Sequence, residues 1–285
     1  MSLFPPLRAE MYRFRKTRAT WVLLVLPALF GAARILGAHA ADRLKRAQEI
    51  AAGLDSPASL ESIAESGFGP LADGLRTGGA VLTLLLLILG AMQLVRERET
   101  GALGLAFLAR SRGAVVVGKA FSLLLFTLCA FLLLFLVSAG IAAGLNGLGP
   151  VVDEGFEMAS AAELWADTAR GSLSCLPALF AAGLFGLFIS ALASTPATAV
   201  AGTLVPFLAF DVLGGLFEEF SRRVFVTYTP FLGGGSPLVR LTEIARAFSD
   251  AGWAEGELSR AVWVPGLEGL LLLLLAVLVT RLRPA

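Results

Sequence analysis

The sequence predicts an all-α polytopic membrane protein, a single transmembrane domain of residues 1–285 with six transmembrane helices. Three observations predict it. Apolar residues make up 56% of the 285 and charged residues 16%, more apolar surface than a soluble domain can hide. Six stretches approach the roughly 20 apolar residues that a bilayer-crossing helix needs. The net charge is only +1, yet the charges sort by side along the chain.

Taken in order, the chain opens with an amphipathic pattern over residues 1–18. Leu3, Phe4, Leu7, Met11 and Phe14 fall on one arc of a helix, which predicts an interfacial helix lying in a headgroup layer. The first span, 19–37, follows. Its basic flank is too long for a typical signal peptide despite Ala38-His39-Ala40, so a retained first helix is expected. Further spans are expected at 78–95, 115–145, 172–192, 198–216 and 262–282. Segments 38–77, 146–171 and 217–261 lie between them on one side.

The positive-inside rule orients the set. Residues 1–20, 96–119, the turn near Thr195-Pro196 and the tail carry 12 basic and three acidic residues, the three other segments 10 and 17. Both termini are therefore expected to be cytoplasmic, with Trp165 and Trp263 in an outer aromatic belt and Trp21 in an inner one. The outer segments show short amphipathic patterns. One stripe is Leu44, Ala47, Ala51 and Leu54, and Pro57 opens another with Leu60 and Ile63. Ser160 and Glu163 have capping-box spacing. Ser236-Pro237 begins a helix with the stripe Leu238, Leu241, Ile244, Ala245 and Phe248. Gly140 and Gly144 form a GxxxG, read as ordinary helix packing.

Several chemistries lack raw material. There is one histidine, His39, and two cysteines, Cys129 and Cys175, both in apolar runs. That gives no metal site, no catalytic residues and no bound cofactor. A balanced charge gives no footprint for nucleic acid. Gly113 to Lys119 matches the start of a phosphate-binding loop, but Ala120 stands where a magnesium-binding Ser or Thr belongs, and no α/β domain precedes it.

The one long inner loop, 96–114, carries the most information. Leu103, Leu105, Phe107 and Leu108 point all round a helix, bracketed by charge at Arg96 to Glu99 and at Arg110 and Arg112. A helix apolar on every face needs cover on every face. The bundle covers one side, and a cytoplasmic partner is expected on the other.

The pattern Glu97-Arg98, Gly101, leucine-rich 103–108, Ser111-Arg112 and Gly118-Lys119 resembles the permease subunits of bacterial ABC transporters of the second exporter type. It is similar to the branch that includes the nitrous-oxide-reductase maturation permease. The six spans, the basic leader and the Thr195-Pro196 turn fit the same resemblance. It implies a coupling helix that docks on a separate ATPase subunit. Two copies of the permease and two ATPases would work in the inner membrane, with ATP and Mg on the ATPases. Spans one and five would meet across the dimer axis. The expected interface is Glu97, Arg98, Glu99, Thr100, Gly101, Leu103, Leu105, Phe107, Leu108, Arg110 and Arg112. Two departures stand out: Gly101-Ala102-Leu103-Gly104 replaces the common G-T-L-E, and Arg110 stands where Pro is common.

Intramembrane charges are costly and point to function by default. Arg34, Asp211 and Glu268 are the candidates. Asp211 and Glu268 either line an outer cavity or pair with Arg34 or an outer arginine, the pairing being favoured. The competing readings are an ATP-independent carrier or membrane anchor and, more remotely, an intramembrane enzyme. An extracytoplasmic protein partner also fits the outer helices.

Overall fold

The computed structural model describes residues 12, 16, 18–52, 66–109, 111–153, 156–216, 223–231, 235–246 and 252–282. The predicted leader helix, the short helix after Pro57, Phe248, Arg110 and the side chain of Asp211 lie outside the described residues.

Eight α-helices are described. They are α1 (Arg18–Ala51), α2 (Phe68–Glu99), α3 (Ala102–Ala109), α4 (Arg112–Asn146), α5 (Ala161–Leu192), α6 (Pro196–Leu216), α7 (Pro237–Ile244) and α8 (Glu257–Leu282). Each of the six predicted spans falls within one helix. Five of them, α1, α2, α4, α5 and α8, are long and apolar enough to cross a membrane. In α6, 21 residues long, the apolar part described is the shorter stretch Pro196–Phe210.

Two expectations are corrected. The outer amphipathic pieces next to spans one and four are not separate helices. No breaker interrupts residues 38–51, so α1 continues to Ala51, just before Gly53. The capping box starts α5 at Ala161, where Ser160 Oγ accepts from the Glu163 N–H (3.3 Å) and Glu163 accepts from the Ser160 N–H (3.0 Å). From there one helix runs to Leu192. The other concerns segment 146–171, where two short strands join an otherwise helical chain. β1 (Val151–Asp153) and β2 (Phe156–Ala159) form a small antiparallel hairpin, with Val151 opposite Ala159. Gly147 takes φ +72°, which ends α4, and the β-branched Val151-Val152 pair then favours a strand.

Side-by-side packing rests on small residues, as lipid-embedded helices require. α2 and α5 are the central pair: 56% and 61% of their apolar windows are buried, against 28% for α1 and 17% for α8. A Cβ on Gly90 would overlap the Gly183 carbonyl, and one on Gly186 would overlap that of Leu87. At the same crossing, Ser190 Oγ accepts from the backbone N–H groups of Leu94 (3.0 Å) and Val95 (3.2 Å). α1 meets α2 through Gly31, Gly74 and Gly78, with Ser138 and Leu134 of α4 closing the contact. Among the described residues, nothing lies within 4 Å of a Cβ at Gly140 or Gly144, so neither serves a close helix contact there.

A short 3₁₀ turn, Phe225–Tyr228, is buried among the middle parts of α2, α5, α6 and α8. Phe225 lies 5.9 Å from Phe185 of α5 and 6.5 Å from Phe207 of α6, ring centre to ring centre. Tyr228 packs with Ala178 of α5 and with Ala261 and Val264 of α8. Pro230 sits against Gly79 of α2. The predicted Ser236-Pro237 helix is α7. Its stripe Leu238, Leu241, Ile244 and Ala245 is buried.

Candidate functional site: the loop between α2 and α4

The last turn of α2 carries Arg96 and Arg98, favourable charges at a helix carboxyl end. Thr100 ends the helix, its Oγ1 donating to the Arg96 and Glu97 carbonyls (3.2 Å each). Gly101 takes φ +71°, a left-handed conformation that only glycine adopts at little cost. That residue reverses the chain into α3, and Ser111, in an extended conformation, opens α4.

α3 is two-faced in environment although apolar all round. Leu103 is buried, in a cluster with Leu94, Val115, Val116 and Ala276, and Ala106 and Phe107 pack against it. Leu105 and Leu108, by contrast, are 71% and 86% exposed.

Three polar contacts fix the base of the loop. Lys119 Nζ lies 2.8 Å from Glu97, with side-chain exposures of 1% and 15%. The motif that mimics a phosphate-binding loop is thus a helical segment of α4 whose lysine is an internal counter-ion. Arg98 donates to the Ala193 carbonyl, in the turn between α5 and α6. Arg112 donates to the Thr280 and Arg281 carbonyls at the end of α8 (3.3 Å each), and its guanidinium stands 5.4 Å from the centre of the Phe107 ring.

These contacts divide the predicted interface residues. Glu99, Thr100, Gly101, Leu105 and Leu108 are exposed; Leu103 is buried, and Glu97, Arg98, Phe107 and Arg112 are turned inward onto other elements. Sequence reasoning missed the structural role of Lys119. The acid in Glu97-Arg98 and the cation in Gly118-Lys119, at opposite ends of one loop, were its signal.

The intramembrane candidates are not gathered into one site. Arg34 lies 3.3 Å from Asp73, and Arg246 reaches the same carboxylate oxygen at 2.6 Å. Of the expected partners, Arg34 or an outer arginine for Asp211 and Glu268, Arg34 is found on Asp73, while the side chain of Asp211 lies outside the described residues. Asp73 was overlooked because α2 begins at Phe68, ten residues before the predicted span. Glu268 accepts from the backbone N–H of Phe225 (2.5 Å), the first residue of the 3₁₀ turn. Among the described residues, no three His, Cys, Asp or Glu side chains converge as metal ligands would.

A polytopic helical bundle with a short apolar helix standing on a charge-braced loop is the form of a transporter's membrane subunit. The family described as ABC-2 family transporter protein matches residues 7–232, and the chain belongs to it. It is thus a multi-pass membrane protein of the ABC transporter permease class, and that class implies an ATPase partner. The match covers the whole loop and ends before α7 and α8. No curated protein matches the chain.

Proposed function

We propose that α3 is the docking helix for a separate ATPase, and that the chain couples ATP hydrolysis to export or to a conformational signal across a bacterial inner membrane. The observation that carries this reading is the exposure of Leu105 and Leu108, at 71% and 86%, on a helix whose base is held by Glu97, Lys119, Arg98 and Arg112. Covering each leucine is worth about 1.5–3 kcal/mol, enough for two anchors of a partner groove. Glu99 and Thr100 then form the polar rim.

In this reading the loop and both chain ends are cytoplasmic. Two copies of the chain and two ATPases assemble, with ATP and Mg held by the ATPases. The nitrous-oxide-reductase maturation permeases are the branch it most resembles, and the outer segments face any extracytoplasmic partner. The test is co-purification of the full chain, from the cells that make it, with an ABC-type ATPase identified by mass spectrometry. The double variant Leu105→Glu/Leu108→Glu should insert normally and lose the ATPase. Retention of the ATPase by the double variant would overturn the proposal.

A further inference from the structure

We propose that α8 is a rod that ties the seating of residues 223–231, inside the bundle, to α3 at its end. Arg112 and Glu268 are its two attachment points. At the α3 end, Arg112 donates to the Thr280 and Arg281 carbonyls, in the last described turn of α8. The same guanidinium stacks on Phe107. Ala276 and Val277 of α8 share the apolar cluster of Leu103 and Phe107, and a Cβ on Gly113 would stand 3.4 Å from both Val277 and the Arg281 guanidinium. The end of α8 is thus built into the loop.

Inside the bundle, Glu268 holds the first N–H of the 3₁₀ turn, while Tyr228 packs on Ala261 and Val264. Twelve residues separate Glu268 from Thr280, roughly 18 Å of helix. Pro265, the only proline inside α8, lies outside that stretch, so it has no proline kink to absorb a displacement. Only 17% of its apolar window is buried within the chain, and its packing is on one side, where Gly269 meets Ala181 and Leu184 of α5. Arg112 is therefore a positioning residue and not part of the partner's rim. The purpose of the linkage rests on the docking role of α3, but its existence does not.

Coupling between separated sites is shown by perturbing one and reading the other. The full-length chain, with Cys129→Ala and Cys175→Ala and without any ATPase, is placed in lipid nanodiscs. Val226→Cys, at a position 3% exposed in the turn, is treated with a membrane-impermeant maleimide. Glu268→Leu should raise its labelling rate roughly tenfold or more, the weight of one charge-assisted hydrogen bond. Glu268→Gln, which keeps an acceptor oxygen, should leave the rate unchanged. Arg112→Ala should raise it roughly threefold or more, the size of coupling carried by packed elements, and Arg112→Lys should raise it less. Ala130→Cys, in the core of α4, should stay unreactive throughout. If Arg112→Ala also exposes Ala130→Cys, the Arg112→Lys variant decides. The proposal fails if Val226→Cys stays protected in a folded Arg112 variant, or in Glu268→Leu. Loss of ATPase docking in Leu105→Glu/Leu108→Glu leaves this labelling untouched, so the two readings fall separately.

Discussion

Glu97 and Lys119 show how one residue pair can stiffen a loop without touching a partner. Removing one member of a buried ion pair is costly because it strands the other charge. Lys119 is the more deeply buried of the two. Glu97→Gln should therefore lower stability by about 3 kcal/mol, and Lys119→Met by less. Thermal unfolding of the purified chain in detergent reads the order, and the reverse order would show that burial does not set the cost. The two residues were visible in the sequence as motif letters, but their contact was not. They lie 22 positions apart, and only the reversal at Gly101 brings the two helices side by side. The same limit explains Asp73, whose partners come from α1 and from the residues after α7.

At the scale of elements, hydropathy located the helices well because backbone groups in lipid must be satisfied within the helix. Each predicted span falls inside a helix, and the extensions were missed, since α1 and α5 continue into polar sequence that carries no breaker. Which glycines matter was not legible. The GxxxG of α4 faces open space, whereas the close crossing of α2 and α5 uses Gly90, Gly183 and Gly186. Gly90→Ala or Gly186→Ala should destabilise the bundle by about 1–3 kcal/mol through overpacking. Gly140→Ala and Gly144→Ala should be neutral, or stabilising by up to about 1 kcal/mol through helix propensity. Melting temperatures of the four variants check this, and loss of stability at Gly140 or Gly144 would reveal a contact outside the single chain.

For the whole molecule, the sequence supplies a sidedness and the structure supplies a shape consistent with it. Arg98 reaches the Ala193 carbonyl and Arg112 reaches the last described turn of α8, so the loop between α2 and α4, the turn between α5 and α6 and that end of α8 gather at one end. Asp73, Ser66 and the hairpin gather at the other, where Ser66 Oγ donates to the Gly149 carbonyl (2.7 Å). The positive-inside rule then makes a direct prediction. In intact cells, cysteines introduced at Asp42 and Met158 should react with an impermeant thiol reagent, and one at Ser111 should react only in inverted vesicles. Labelling of Ser111→Cys from outside would invert the topology and remove α3 from any cytoplasmic ATPase.

The continuity of α1 has a mechanical consequence. Thirty-four residues make a helix roughly 51 Å long, while the hydrocarbon layer is about 30 Å thick. With the predicted span 19–37 in the lipid, residues 38–51, roughly 20 Å of helix, would stand beyond it as a post. Leu44 and Ile50 near its tip are 64% and 58% exposed. A body resting on such a post is held off the membrane surface. Above Pro27 no proline interrupts the helix, so such a post would carry any tilt of the upper part of the span out to its tip.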